Sequence, residues 1–218
     1  MHAMTARPAF DQSIGEEIAN SLSHGLTLIA ALVGTPFLIL HAARQGDAGF
    51  VAGASVFAAT MILLYLASTL YHALTHRKAK QVFRVLDHSA IFLLIAGTYT
   101  PFTLGVLHGP WGWTLFGIVW GLAAIGIVLK AFKRFAHPVL STTVYLSMGW
   151  LIVIAIDPLM ARLPAAGLIW LVAGGLAYSV GVVFFALDSR LKYGHFAWHL
   201  CVTAGTTCHY FAVLGYAA

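Results

Sequence analysis

Charged side chains are scarce in this chain of 218 residues. Asp, Glu, Lys and Arg make up 9% of it, and 60% is hydrophobic. A soluble domain carries roughly 25% charged residues, because water must cover its surface. With a mean hydropathy of +0.86, the deficit excludes an ordinary soluble fold and implies that lipid covers most of the surface. Short alternating apolar-polar segments are missing too, which excludes a membrane β-barrel. Cysteine is limited to Cys201 and Cys208. On one helix they stand about 10.5 Å apart, too far for a disulfide, so both are expected as buried thiols. The first 18 residues lack the basic-then-apolar pattern of a signal peptide, and the first apolar run is expected to remain as a helix. No second domain, low-complexity tract or internal repeat is evident.

What is present is a series of long apolar runs. Residues 20–43 and 48–75 contain no Asp, Glu, Lys or Arg. Residues 88–129 are also free of them, but one helix of that length would reach about 63 Å. The sequence His108-Gly109-Pro110-Trp111-Gly112 is expected to break it in two. Residues 135–156, closed by Asp157-Pro158, then 163–187 and 193–218 complete seven spans. The expected fold class is therefore all-α, a polytopic membrane protein of seven transmembrane helices. A cytoplasmic tail over residues 1–18, with an interfacial segment, precedes a transmembrane domain over 19–218.

The net charge of +5 is read as topology rather than as nucleic-acid binding, and no nucleic-acid partner is expected. Arg7, Arg77, Lys78, Lys80, Arg84, Lys130, Lys133, Arg134, Arg190 and Lys192 fall on one side of this arrangement. Only Arg44 and Arg162 fall on the other. The positive-inside rule then places the N-terminus in the cytoplasm and the C-terminus outside.

Ionisable groups within spans are costly and mark functional sites. The second span ends in Ser68-Thr-Leu-Tyr-His72, and the seventh opens with His195-Phe-Ala-Trp-His199. Residues four apart share a helix face, the spacing by which one helix offers two imidazoles to a metal. The bland alternative is a histidine hydrogen-bonded to a neighbouring helix. The topology favours the metal: His72, His195, His199 and Asp87 all lie within about 4–11 Å of the cytoplasmic charged boundary. Three imidazoles with an open fourth position are the usual set of a catalytic zinc. Asp87 and Ser68 would then hold the reacting water or orient a ligand. Glu17, Asn20 and His24 share one face of the first span. They form either an acidic helix start favoured by the helix dipole or a polar stripe facing the same cavity. His88 points about 100° away from Asp87 and is not expected as a ligand. His209 lies about 15 Å deeper than His199. His76 belongs to the headgroup zone, His41 and His108 to the outer side, and Trp111 and Trp113 to the interface.

Glu17-Ile-Ala-Asn20-Ser-Leu-Ser-His24, Ser68-xxx-His72, Asp87-His88-Ser89-Ala90-Ile91-Phe92 running into Ala96-Gly97-Thr98-Tyr99-Thr100-Pro101-Phe102, and His195-xxx-His199 together resemble the bacterial hemolysin III proteins. These are grouped with the progestin and adipoQ receptors and, more distantly, the alkaline ceramidases. The resemblance spans nearly the whole chain. It implies seven helices in a bacterial inner membrane and zinc on His72, His195 and His199. It places Ser68 and Asp87 beside the reacting water. The long N-terminal region of the adiponectin receptors has no counterpart here, so hormone binding is not expected.

The function expected is a zinc-dependent lipid amide hydrolase, with Asp87 as general base and Ser68 at the water or oxyanion. Its expected partners are membrane lipids, including a substrate with an amide bond, and its role lies in membrane lipid or energetics homeostasis. The competing function is a non-enzymatic sensor, channel or haemolysin acting by cytolysis. A retinal protein is excluded, because the seventh span has no lysine after Lys192.

Overall fold

A computed structural model describes residues 12–132 and 138–217. Arg7, Asp11, Lys133 and Arg134 lie outside the described residues, as does most of the expected tail. Seven helical rods follow one another. They are α1 (Ile14–Gln45), α2 (Ala48–Ala73), α3 (Arg77–Leu107), α4 (Gly109–Ala131), α5 (Pro138–Met160), α6 (Ala165–Ala186) and α7 (Gly194–Tyr216). No strand occurs among the described residues.

Six of the rods, α1 to α6, are long and apolar enough to cross a membrane. The seventh has 23 residues, about 35 Å at 1.5 Å per residue, and so has the length to span. Its lower apolarity comes from His195, His199, His209 and several threonines.

The helices begin and end where local chemistry dictates. Ser13 and Glu16 form a reciprocal capping box that starts α1 six residues before the charge-free run. Gly46, left-handed at φ 77°, ends it. Asp47 then caps α2 by accepting from the Phe50 N–H. The third helix starts at Arg77, so Arg84 and Asp87 are carried on helix rather than loop. Pro101 lacks the N–H that the ladder needs, and the chain from Phe102 to Leu107 widens into π-helical turns. The expected break follows at His108, with φ 43°.

Asp157-Pro158 does not close α5. The rod tightens into 3-10 turns over Trp150–Ala155 and ends in the helical turn Ile156–Met160, where proline sits in the first turn and loses no bond. Tyr99 secures the irregular segment. Its hydroxyl donates to the Met148 and Gly149 carbonyls and accepts from the Ile152 N–H.

The rods pack as a closed ring. Each lies against its neighbour in sequence, α3 also meets α5, and α7 returns to α1. The most interior rod is α3, with 78% of its apolar stretch buried, against 11% for α6. Tyr145 of α5 donates to the His88 carbonyl and Trp120 of α4 to Thr100, pinning both helices to α3. This ring brings the ends of α1, α2 and α3 that lie on one side next to the start of α7.

Candidate metal centre

His72 sits in the last turn of α2, and His195 and His199 in the first two turns of α7. One nitrogen from each lies within 4.8 Å of the others. His72 and His199 are buried, and His195 is half-buried. The ring centroids are 4.8 to 5.2 Å apart, and the rings meet at 55 to 74°. The three rings are tilted against one another rather than stacked.

Each Nδ1 is already engaged. His72 Nδ1 donates to Glu17 Oε2 at 2.8 Å, and Lys80 Nζ holds Glu17 Oε1 at 2.8 Å. His195 Nδ1 donates to Asp188 Oδ2 at 3.1 Å. His199 Nδ1 donates to the Asn20 carbonyl at 3.2 Å, with Ser23 Oγ at 3.2 Å. A neutral imidazole bonded at Nδ1–H presents its Nε2 lone pair. His72 Nε2 is buried without a partner among the described residues. Metal-ligating histidines almost always carry such an outer hydrogen bond, to a carboxylate or a carbonyl. The donor set therefore fits a metal that favours imidazole nitrogen.

Beside the histidines lies a small cavity of about 20 Å³, measured to the centre of a water-sized sphere. That is room for one water molecule. Ser68, Asp87, His24, His195 and His199 line it. Ser68 and Asp87 are both buried and lie close to each other. His24 Nδ1 is 2.7 Å from Ser68 Oγ, and its ring stacks on His199 at 3.6 Å and 5°. The arrangement places a carboxylate and a hydroxyl at the edge of a three-imidazole cluster.

Glu17, Asn20 and His24 thus face this cluster, Glu17 by its side chain, Asn20 by its carbonyl and His24 by its ring. His88 turns away to the Arg84 carbonyl at 2.7 Å, although it borders the cavity. His209 is remote, bonded to the Leu171 carbonyl. His76 caps α3 by accepting from the Ala79 N–H. Cys201 and Cys208 are free, as expected, but only partly buried, because α7 turns them toward its less covered side.

Sequence reasoning missed Asp188, Ser23, Lys80 and Glu16. Glu16 accepts from the Tyr193 N–H at 3.0 Å and so ties the start of α1 to the start of α7. One signal was available. Of only seven carboxylates, four (Glu16, Glu17, Asp87 and Asp188) flank the runs that hold the histidines.

A seven-helix membrane protein with a buried three-histidine cluster near one end of the ring is the class that this fold and site define. The family model described as Haemolysin-III related matches residues 12–210, and the chain belongs to that family. The protein named Hemolysin-3 from Bacillus cereus is 48% identical over 207 residues, covering 94% of this chain and 93% of that one. The Hemolysin-3 homolog of Bacillus subtilis (strain 168) is 48% identical over 206 residues, covering 94% and 95%. More distantly, the human monocyte to macrophage differentiation factor is 26% identical over 220 residues, covering 99% and 90%. No solved structure matches the chain.

Proposed function

We propose that this chain is a zinc-dependent hydrolase of lipid amides that works within the membrane. The observation that carries the reading is the outer shell of the histidine cluster. Three imidazoles converge while Glu17, Asp188 and the Asn20 carbonyl occupy their Nδ1 atoms. A purely structural histidine would be satisfied at both nitrogens, whereas His72 Nε2 is buried without a partner among the described residues. The ligand set for zinc is His72, His195 and His199, and the bound ion supplies Lewis acidity, polarising an amide carbonyl and making a water acidic near neutral pH.

Asp87 takes the proton lost by the attacking water and passes it to the leaving amine. Ser68, held by His24, donates to the carbonyl oxygen as negative charge develops there. Water and amide thus become a carboxylic acid and an amine. An apolar cavity of about 190 Å³ adjoins the site and shares Leu64, Ile91, Trp198 and Val202 with the small polar one. It supports a fatty chain as the part of the substrate that lies in the bilayer.

The test is elemental analysis of purified protein together with fatty-acid release from a short-chain ceramide. The wild type is expected to carry close to one zinc per chain and to release the acid. His72→Ala, His195→Ala and His199→Ala should each lose both. Zinc-loaded protein that cleaves no amide lipid sinks the hydrolase reading, and metal content unchanged in the three variants sinks the site. The names of the bacterial relatives favour a second reading, permeabilisation of membranes. Conductance in liposomes that survives chelation of zinc selects it.

A further inference from the structure

We propose that Arg84 and Lys130 bind a phosphate group carried by the leaving amine, about two carbons from the amide nitrogen. The substrate is then the N-acyl form of a 2-aminoalkyl phosphate. The proposal rests on the reading that the histidine cluster hydrolyses a lipid amide.

The cations at this end of the ring are of two kinds. Arg77, Lys78, Arg190 and Lys192 are exposed, as suits residues that only set topology. Lys80 is half-buried and spent on Glu17 at 2.8 Å. Arg84 and Lys130 are half-buried as well. They come from different helices, α3 and α4, yet lie close to each other. Lys130 Nζ is 3.4 Å from the Oγ of buried Ser141, which keeps it against α5. Like charges gathered away from water disfavour one another, and an anion between them reverses the balance. Asp87 lies near Lys130, whereas Glu17 and Asp188 are engaged by His72, Lys80 and His195. Among the described residues this corner thus carries more positive than negative charge.

The corner also stands one step from the chemistry. Asp87 borders the small cavity beside the histidines and, in the proposed reaction, hands a proton to the leaving nitrogen. Arg84 precedes it by three residues on α3, about 4.5 Å of rise. Tyr71 stands between, its ring 4.5 Å from His72 and its charge environment set by Asp87 and Arg84. From an amide nitrogen, two carbons and an ester oxygen lead to phosphorus through four bonds of about 1.5 Å, roughly 5 Å when staggered. The phosphate therefore meets the two cations while the nitrogen is at Asp87 and the acyl chain lies in the apolar cavity. A guanidinium matches phosphate through two parallel hydrogen bonds, and lysine adds a point charge. Water adds across the C–N bond, releasing a fatty acid and a 2-aminoalkyl phosphate, with no other reactant.

The test is binding and turnover by full-length, zinc-loaded protein in phosphatidylcholine nanodiscs. The probes are N-dodecanoylethanolamine, its O-phosphate, and N-dodecanoyl-6-aminohexyl phosphate, whose phosphate stands farther from the amide. Wild-type protein should bind the O-phosphate about tenfold or more tightly than the alcohol, and more tightly than the aminohexyl phosphate. Arg84→Gln and Lys130→Gln should each cut that preference several-fold, and together abolish it. Arg77→Gln, at an exposed cation of the same helix, should preserve it. The preference is a ratio within each variant, so partial loss of folded protein does not mimic its loss. Equal wild-type affinities for alcohol and O-phosphate overturn the proposal. So does a preference that the aminohexyl phosphate shares, or that Arg77→Gln lowers as much as Arg84→Gln, since either marks general attraction to a basic face. Inorganic phosphate that displaces the O-phosphate at equal concentration assigns the site to the free anion and overturns the lipid substrate. Selective, Arg84-dependent binding with no dodecanoic acid released upholds the phosphate site and sinks the hydrolase reading instead.

Discussion

At the scale of single residues, the outer partners of the histidines carry the sharpest expectation. Glu17 holds His72 at 2.8 Å and is itself held by Lys80. Removing such a partner usually lowers metal affinity by about 10- to 100-fold while leaving the ligands in place. Glu17→Ala is therefore expected to weaken zinc affinity within that range in a chelator competition, with Glu17→Gln retaining more. Asp188→Ala should have the smaller effect, because its contact is longer at 3.1 Å and its side chain is 32% exposed. Equal affinities for wild type and Glu17→Ala would show that the pair is incidental. The three clustered histidines were legible in the sequence because i, i+4 spacing repeats on two helices. Asp188 was not, since its approach to His195 depends on a turn that links α6 to α7 and leaves no periodic trace. Ser23 and the Asn20 carbonyl were hidden for a related reason, as only the closure of α1 on α7 brings them to His199.

At the scale of elements, the apolar runs located every rod but set their ends wrongly where polar residues continue a helix. Capping chemistry and the charged first turns of α3 extend helices past the lipid-like stretch. The proline at 158 starts a last turn instead of stopping the rod. The sequence also hides how closely rods approach. A Cβ on Gly53 of α2 would meet Pro101 backbone atoms of α3 at 2.4 and 2.7 Å, whereas one on Gly117 of α4 meets nothing within 4 Å. Small residues allow such approach in membranes, where packing rather than hydrophobicity drives association. Gly53→Ala is expected to lose about 1–3 kcal/mol of stability, read as a lower unfolding midpoint in mild detergent. Gly117→Ala should leave the midpoint level or slightly higher, since alanine favours helix. Matching midpoints for the two would mean that α2 and α3 yield more than their backbones suggest.

For the whole molecule, the sequence foretold seven rods, and the ring adds who stands beside whom. Its handedness to the membrane rests on charge alone, with ten of the twelve Lys and Arg on one side by the span count. An N-terminal green fluorescent protein fusion and a C-terminal alkaline phosphatase fusion should both be active, as a cytoplasmic start and an external end require. The converse pattern would invert the molecule and put the histidine cluster at the outer face.

The closure of the ring by α7 against α1 also sets an order of events during synthesis. Glu17, His72 and Asp87 leave the ribosome early, whereas His195 and His199 belong to the last helix to be made. No fragment short of α7 contains more than one of the three clustered histidines. The Tyr193–Glu16 bond that draws the two end helices together also forms only then. Any metal that the cluster takes up would therefore be loaded as a final step of biogenesis. A chain stalled or clipped before that point holds one histidine of the three, so an incomplete product carries no assembled cluster into the membrane.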